Sequence, residues 1–172
     1  MKCYTVILDA CTLYPAPLRD LLLQLAAGRL FRAKWTDRIQ DEWIRSLQQN
    51  RPDISFEQLN RTKILMERAV PDAVVAGYDY LIATIVLPDE NDRHVLASAI
   101  HARADAIVTF NLKDFPEDIL SLLNIEAIHP DDLIEYQHDL DEAAVILAAQ
   151  TCRRRLKNPP LCVEEYLGTL RA

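Results

Sequence analysis

Tyr4-Thr5-Val6-Ile7-Leu8-Asp9 is the stretch whose reading decides the fold. Residues 4–8 are aromatic, β-branched or aliphatic, with no polar alternation. Such a run reads as a short strand buried on both faces, the kind that builds parallel sheets. Asp9 closes it. Ligands of open parallel sheets collect outside the carboxyl ends of the strands, so Asp9 stands where chemistry is expected. A carboxylate that ends a buried strand also needs partners, because an unpaired buried charge is costly.

Working outward, Pro15-Ala16-Pro17 opens a helix with apolar positions Leu18, Leu21, Leu22 and Leu25, and Gly28 is a natural stop. Residues 31–35 read as a second strand. Thr36 or Asp37 caps a helix with Ile39, Trp43 and Leu47 on one face and Glu42 at its edge. Ser55 and Gln58 form a capping box for a helix to Ala69, which Pro71 ends. Residues 73–87 suit a short strand and then a helical turn. Pro88-Asp89-Glu90-Asn91-Asp92 breaks the chain before a helix carrying Val95, Leu96, Ala99 and Ile100. Residues 106–109 and 125–128 read as strands, separated by a turn over 111–116 and a helix to Leu122. Alternating strands and helices imply an α/β fold with a central parallel sheet. From Pro130 onward the pattern is helical, notably over 139–156. Asn158-Pro159-Pro160 then breaks it before a short last helix. The expected division is a sheet domain over 1–130 and a C-terminal helical extension over 131–172.

Composition narrows the functions. At 172 residues the chain suits one elaborated domain. Three glycines leave no Gly-rich phosphate loop. The net charge of −7 argues against a large basic footprint for duplex DNA. It still permits action on nucleic acid where metal ions and a local basic rim offset phosphate repulsion. Cys3, Cys11, Cys152 and Cys162 have no zinc spacing and read as free thiols in a reducing compartment. No signal peptide or membrane span is visible, so a cytoplasmic protein without a membrane partner is expected.

The acids have a shared place. Asp9 ends the first strand. Asn111 and Asp114 follow the strand that ends at Thr109. Asp89 and Asp92 precede a helix, and Glu42 lies on the helix after the second strand. One edge of the sheet can gather them. Packed carboxylates cannot all stay ionised without compensation, and a hard divalent cation supplies it. Such a cation serves phosphodiester hydrolysis. Each acid alone also reads as a surface group or cap, Asp92 and Asp37 especially.

At these residues the sequence resembles the PIN-domain family, in particular the VapC-like toxins of bacterial toxin–antitoxin pairs. The similarity runs through residues 6–13, 87–99 and 107–116 and covers residues 3–130. It implies a three-layer sandwich with sheet order 3-2-1-4-5 and a Mg²⁺- or Mn²⁺-dependent ribonuclease. Asp9, Glu42 and Asp92 would be the first three acids. Asp9, Asp92 and Asn111 would hold metal, and Asp89 would assist. Asn111 departs from the family, which often has an acid there, so Asp114 would supply the missing carboxylate through water. Thr109 would support a ligand carboxylate. The resemblance also implies RNA as substrate and an antitoxin partner of helix-turn-helix type that covers the site, the C-terminal helices being the extension of one subgroup. Exposed apolar helices would suit a homodimer.

Other residues carry less. His94 and His101 read as a polar first-turn residue and a surface histidine rather than as ligands. Cys11 reads as packing, not as a thiol nucleophile. Arg19, Lys34, Arg38, Arg45, Arg93 and Lys113 are candidates for a phosphate rim, each also readable as surface charge. The basic run Arg153-Arg154-Arg155 suits the end of a helix dipole. Two other function classes compete: a catalytically weak PIN fold acting as an interaction module, which Asn111 favours, and an aspartyl phosphatase. The phosphatase lacks its second acid, since Cys11 stands two residues after Asp9.

Overall fold

The computed structural model describes residues 3–171. Met1, Lys2 and Ala172, at the ends of the expected division, lie outside the described residues. Four parallel strands, β1 (Thr5–Leu8), β2 (Arg32–Lys34), β3 (Ala106–Val108) and β4 (Glu126–Ile128), form one sheet in the order β2-β1-β3-β4. Val6 stands opposite Ala33 on one side and Ala106 on the other. All residues of β1 and β3 are buried. Successive strand residues face opposite sides, so an unbroken buried run means that both faces are covered.

The third strand expected from residues 73–87 shrinks to a single parallel bridge between Trp35 and Val74. The Trp35 N–H donates to the Ala73 carbonyl at 3.0 Å, and the Val75 N–H donates back to Trp35 at 2.8 Å. The Arg32 N–H turns the other way, to Tyr4 of the β1 side. The bridge therefore lies on the outer edge of β2, where the order 3-2-1-4-5 would place its third strand. The sheet itself has four strands because the chain leaves that edge at once: Gly77 takes a left-handed φ of 78° and the short helix α5 (Asp79–Ile82) follows. In chain order α5 is preceded by α1 (Ala10–Leu13), α2 (Ala16–Ala27), α3 (Asp37–Asn50) and α4 (Phe56–Ala69).

Local chemistry explains these helices. Thr36, not Asp37, caps α3: its Oγ1 accepts the Ile39 N–H at 3.0 Å. The Ser55/Gln58 capping box opens α4 as read. Gly28 stops α2, but the left-handed residue is Arg29, with φ 62°. A Cβ on Gly28 would come within 3.2 Å of Leu30, so the glycine serves close packing there.

After a short 3-10 turn over Glu90–Asp92 comes α6 (Arg93–His101), and α7 (Glu117–Leu120) precedes β4. The helical stretch expected over 139–156 is borne out from residue 142 to 155, with a break at Asp141. Asp141 ends α8 (Pro130–Leu140) and caps α9 (Glu142–Arg155), its carboxylate accepting the Ala144 N–H at 3.0 Å. The last helix, α10, spans Val163–Leu170. The helix α9 packs along α2 and α8. Val145, Ala148, Cys152 and Tyr166 are buried, so these C-terminal helices extend the core of the sheet domain. Among the described residues no helix is long and apolar enough to cross a membrane.

Ile107, fully buried in β3, should be the costliest kind of truncation. Ile107→Ala is expected to lose about 2–5 kcal/mol, while Leu122→Ala, at an 83% exposed position, should change stability by under about 0.5 kcal/mol. Urea denaturation of the two variants measures both.

Candidate functional site

Asp9 follows β1 and caps α1, and is 6% exposed. Its Oδ1 accepts the Ala10 N–H at 2.8 Å. Its Oδ2 accepts the Thr109 hydroxyl at 2.8 Å and the Cys11 thiol at 3.4 Å. The Thr109 Oγ1 in turn accepts the Asn111 N–H at 3.0 Å. A continuous chain of donors thus links the ends of β1 and β3. Burial nevertheless outweighs these donors and holds the Asp9 carboxyl above its ordinary range, with the Glu42 charge adding to the rise.

Asp9, Glu42, Asp92 and Asn111 line one open cleft of about 400 Å³, beside Tyr14 and Ser46. Asp92 closes the 3-10 turn at the start of α6, and its side chain caps nothing. The capping role open to it in the sequence is therefore not taken. Burial, and then the charges of Asp9, Asp89 and Asp114, push its carboxyl up to about 6. Asp89 and Asp114 are near enough to act on Asp92 but do not line the cleft. Asp89 caps the 3-10 turn by accepting the Asn91 N–H at 2.8 Å. Asp41, the rival of Glu42 in sequence, turns outward, 3.8 Å from Lys63.

His94 corrects its sequence reading. It is not a solvated first-turn residue: it is 1% exposed, and its Nε2 lies 2.8 Å from Glu42 Oε1. Residues 94–99 are all buried, so this part of the helix leaves no solvent face for its second residue. His101 is exposed, as read. Tyr14 and Ser46 had no sequence signal.

The basic rim divides. Arg19 donates to the carbonyls of Leu13 and Tyr14 at 2.6 and 3.3 Å and lies over the Trp43 ring at 4.6 Å. Burial lowers it to about 10. It ties α1 to α2 and α3 and is not a rim residue. Lys34 donates to the Asp72 carbonyl. Arg38 lies 3.4 Å from Glu42, Arg93 pairs with Glu90 at 2.9 Å, and Arg45 and Lys113 are exposed. Cys11 donates to Asp9 and accepts the Phe110 N–H at 3.4 Å. Burial and the Asp9 charge push its thiol up to about 12, which suits packing and not nucleophilic attack.

The cleft offers oxygen donors from Asp9, Asp92 and Asn111, the kind that a hard divalent cation prefers. Among the described residues no three His, Cys, Asp or Glu side chains form a ready-made metal cage. A cation here would keep several waters, which is the habit of Mg²⁺.

Comparison with known proteins places these observations. Residues 5–113 match the model of a family described as PIN domain. Residues 130–172 match the model described as VapC50 C-terminal domain. A curated protein of Mycobacterium tuberculosis (strain ATCC 25618 / H37Rv), named "Putative ribonuclease VapC50", is 50% identical over 72 residues. That stretch is 42% of this chain and 42% of the relative, so the match spans less than half of either protein.

A carboxyl whose pKa is raised by folding binds its proton more tightly in the folded state. Its cost is absent below about pH 4 and grows as pH rises towards 6. Asp92→Asn should therefore raise the thermal midpoint in chelator at pH 7.5, by about 1–3 °C for a modest relief in a chain of this size. The gain should vanish at pH 4. Calorimetry at the two pH values checks it.

Proposed function

Because this chain belongs to the PIN domain family, we propose that it is a Mg²⁺- or Mn²⁺-dependent ribonuclease, acting in the cytoplasm as the toxin of a toxin–antitoxin pair. The observation that carries this reading is the single cleft at the carboxyl edge of the sheet, where Asp9, Glu42, Asp92 and Asn111 converge. The name of the mycobacterial relative and the match of residues 130–172 support it.

Asp9, Asp92 and Asn111 would hold the cation, and their oxygen chemistry fits it. Burial first, and then the charges of Asp9, Asp89 and Asp114, raise the Asp92 carboxyl, and a cation would offset both. When bound, the cation would make water easier to deprotonate and stabilise charge on the scissile phosphate. Glu42 would take a proton from water in the cleft. Asp114, outside the cleft lining, would act on the same water network through an intervening water. Thr109 holds Asp9 in one rotamer by its hydroxyl bond. Asp89 adds charge to the Asp92 side. Arg38, Arg45 and Lys113 would meet the RNA backbone.

The partner would be an antitoxin, of helix-turn-helix type, that covers the cleft and places an Arg against these carboxylates. The division proposed is a nuclease domain over 1–130 and a helical extension over 131–172, with exposed Leu140 and Leu147 suiting a homodimer.

A second reading is favoured by Asn111, which brings no charge where the family often has an acid: a catalytically weak PIN fold acting through protein contacts. Partner-free protein decides between the two. The ribonuclease reading expects cleavage of single-stranded RNA with Mg²⁺ or Mn²⁺, loss in chelator, and a fall of at least roughly a hundredfold for Asp9→Asn. No cleavage with either metal would overturn it and leave the interaction module.

A further inference from the structure

We propose that His94 is a positioning residue for Glu42, donating its Nε2–H to Oε1 and thereby presenting the other carboxylate oxygen, Oε2, to the cleft. The kinetic part of this inference rests on the ribonuclease reading above; the hydrogen bond itself does not.

His94 is 1% exposed, while the Glu42 side chain is 32% exposed. The two lie on different helices. Glu42 belongs to α3, and His94 opens α6, two residues after Asp92. Their contact of 2.8 Å therefore joins the helix that presents one cleft acid to the turn that presents another. A part-exposed glutamate on its own samples several rotamers. A buried ring bonded to one oxygen favours one of them.

The second contact of Glu42 falls on the same oxygen: Arg38 Nε lies 3.4 Å from Oε1. No described residue bonds Oε2, so that oxygen is left for the cleft that Glu42 lines. A carboxylate only accepts, so Nε2 must carry a proton, and in the neutral ring that tautomer leaves Nδ1 bare. Nδ1 is buried with no partner in the protein. An aliphatic residue would fill the same space without that unsatisfied nitrogen. The imidazole is accounted for by its donor, not by its packing.

The test uses the full chain in two arms. Long-range proton–nitrogen NMR of the ¹⁵N-labelled protein should show His94 with protonated Nε2 and bare Nδ1, and Glu42→Gln should shift the Nε2 signal. A bare Nε2 would overturn the proposal whether or not the protein cleaves RNA. In the kinetic arm, His94→Leu should lower kcat by about 10–100-fold. His94→Gln, whose amide retains a donor, should recover most of that loss. In a Glu42→Gln background, His94→Leu should cost little more, because the two residues act as a unit. A packing role predicts the reverse: Gln no better than Leu, and losses that multiply. Thermal midpoints show whether each variant folds. Should His94→Leu unfold, the tautomer and His94→Gln decide. Should the wild type cleave no RNA, the ribonuclease reading fails and the NMR arm alone decides this one.

Discussion

A carboxylate buried at the end of a strand is the constraint around which the rest is arranged. Asp9 is almost wholly removed from water, and an isolated charge there would be prohibitive. Three donors answer it: the first N–H of α1, the Thr109 hydroxyl and the Cys11 thiol. Each comes from a different requirement of the fold. The helix must start directly after β1. The strand β3 must lie beside β1 in the register that pairs Leu8 with Val108. Cys11 must sit one position into the helix. A slip of one residue in that register would move Thr109 to the other side of the sheet. Register and electrostatics are thus one problem, solved by the same contacts.

The charges around Asp9 are deliberately unequal. Asp92 is the part-buried member, its carboxyl raised by burial and then by the charges of Asp9, Asp89 and Asp114. Glu42 is the member held by side chains, with His94 and Arg38 on one oxygen. Asn111 stands at the remaining corner with an amide in place of a charge. The division of labour proposed above puts metal on the side of Asp9 and Asp92 and proton transfer on the side of Glu42.

Local signals made much of this legible. The unalternating run into Asp9 pointed to a buried parallel strand, and the Ser55/Gln58 pair marked a helix start at the residue. The convergence of Asp9, Glu42, Asp92 and Asn111 followed from their places after strands and at helix starts. What stayed hidden was tertiary. The role of Arg19 depends on Trp43, twenty-four positions away, so nothing beside it in sequence marks it as structural. His94 is buried because the first turns of α6, residues 94–99, are packed against other elements. The third strand was cut to a bridge by the left-handed turn at Gly77. Apolar patterning is blind to a backbone that changes direction.

The central claim, that Asp9 anchors a divalent-cation site on the carboxyl edge of the sheet, is tested most directly by anomalous diffraction from crystals of the chain soaked in Mn²⁺. The prediction is one strong manganese peak within coordinating distance of Asp9 and Asp92 on the cleft side, lost in crystals of Asp9→Asn. A cleft without manganese, with the Asp9 carboxylate still held by Thr109 and Ala10, would contradict it.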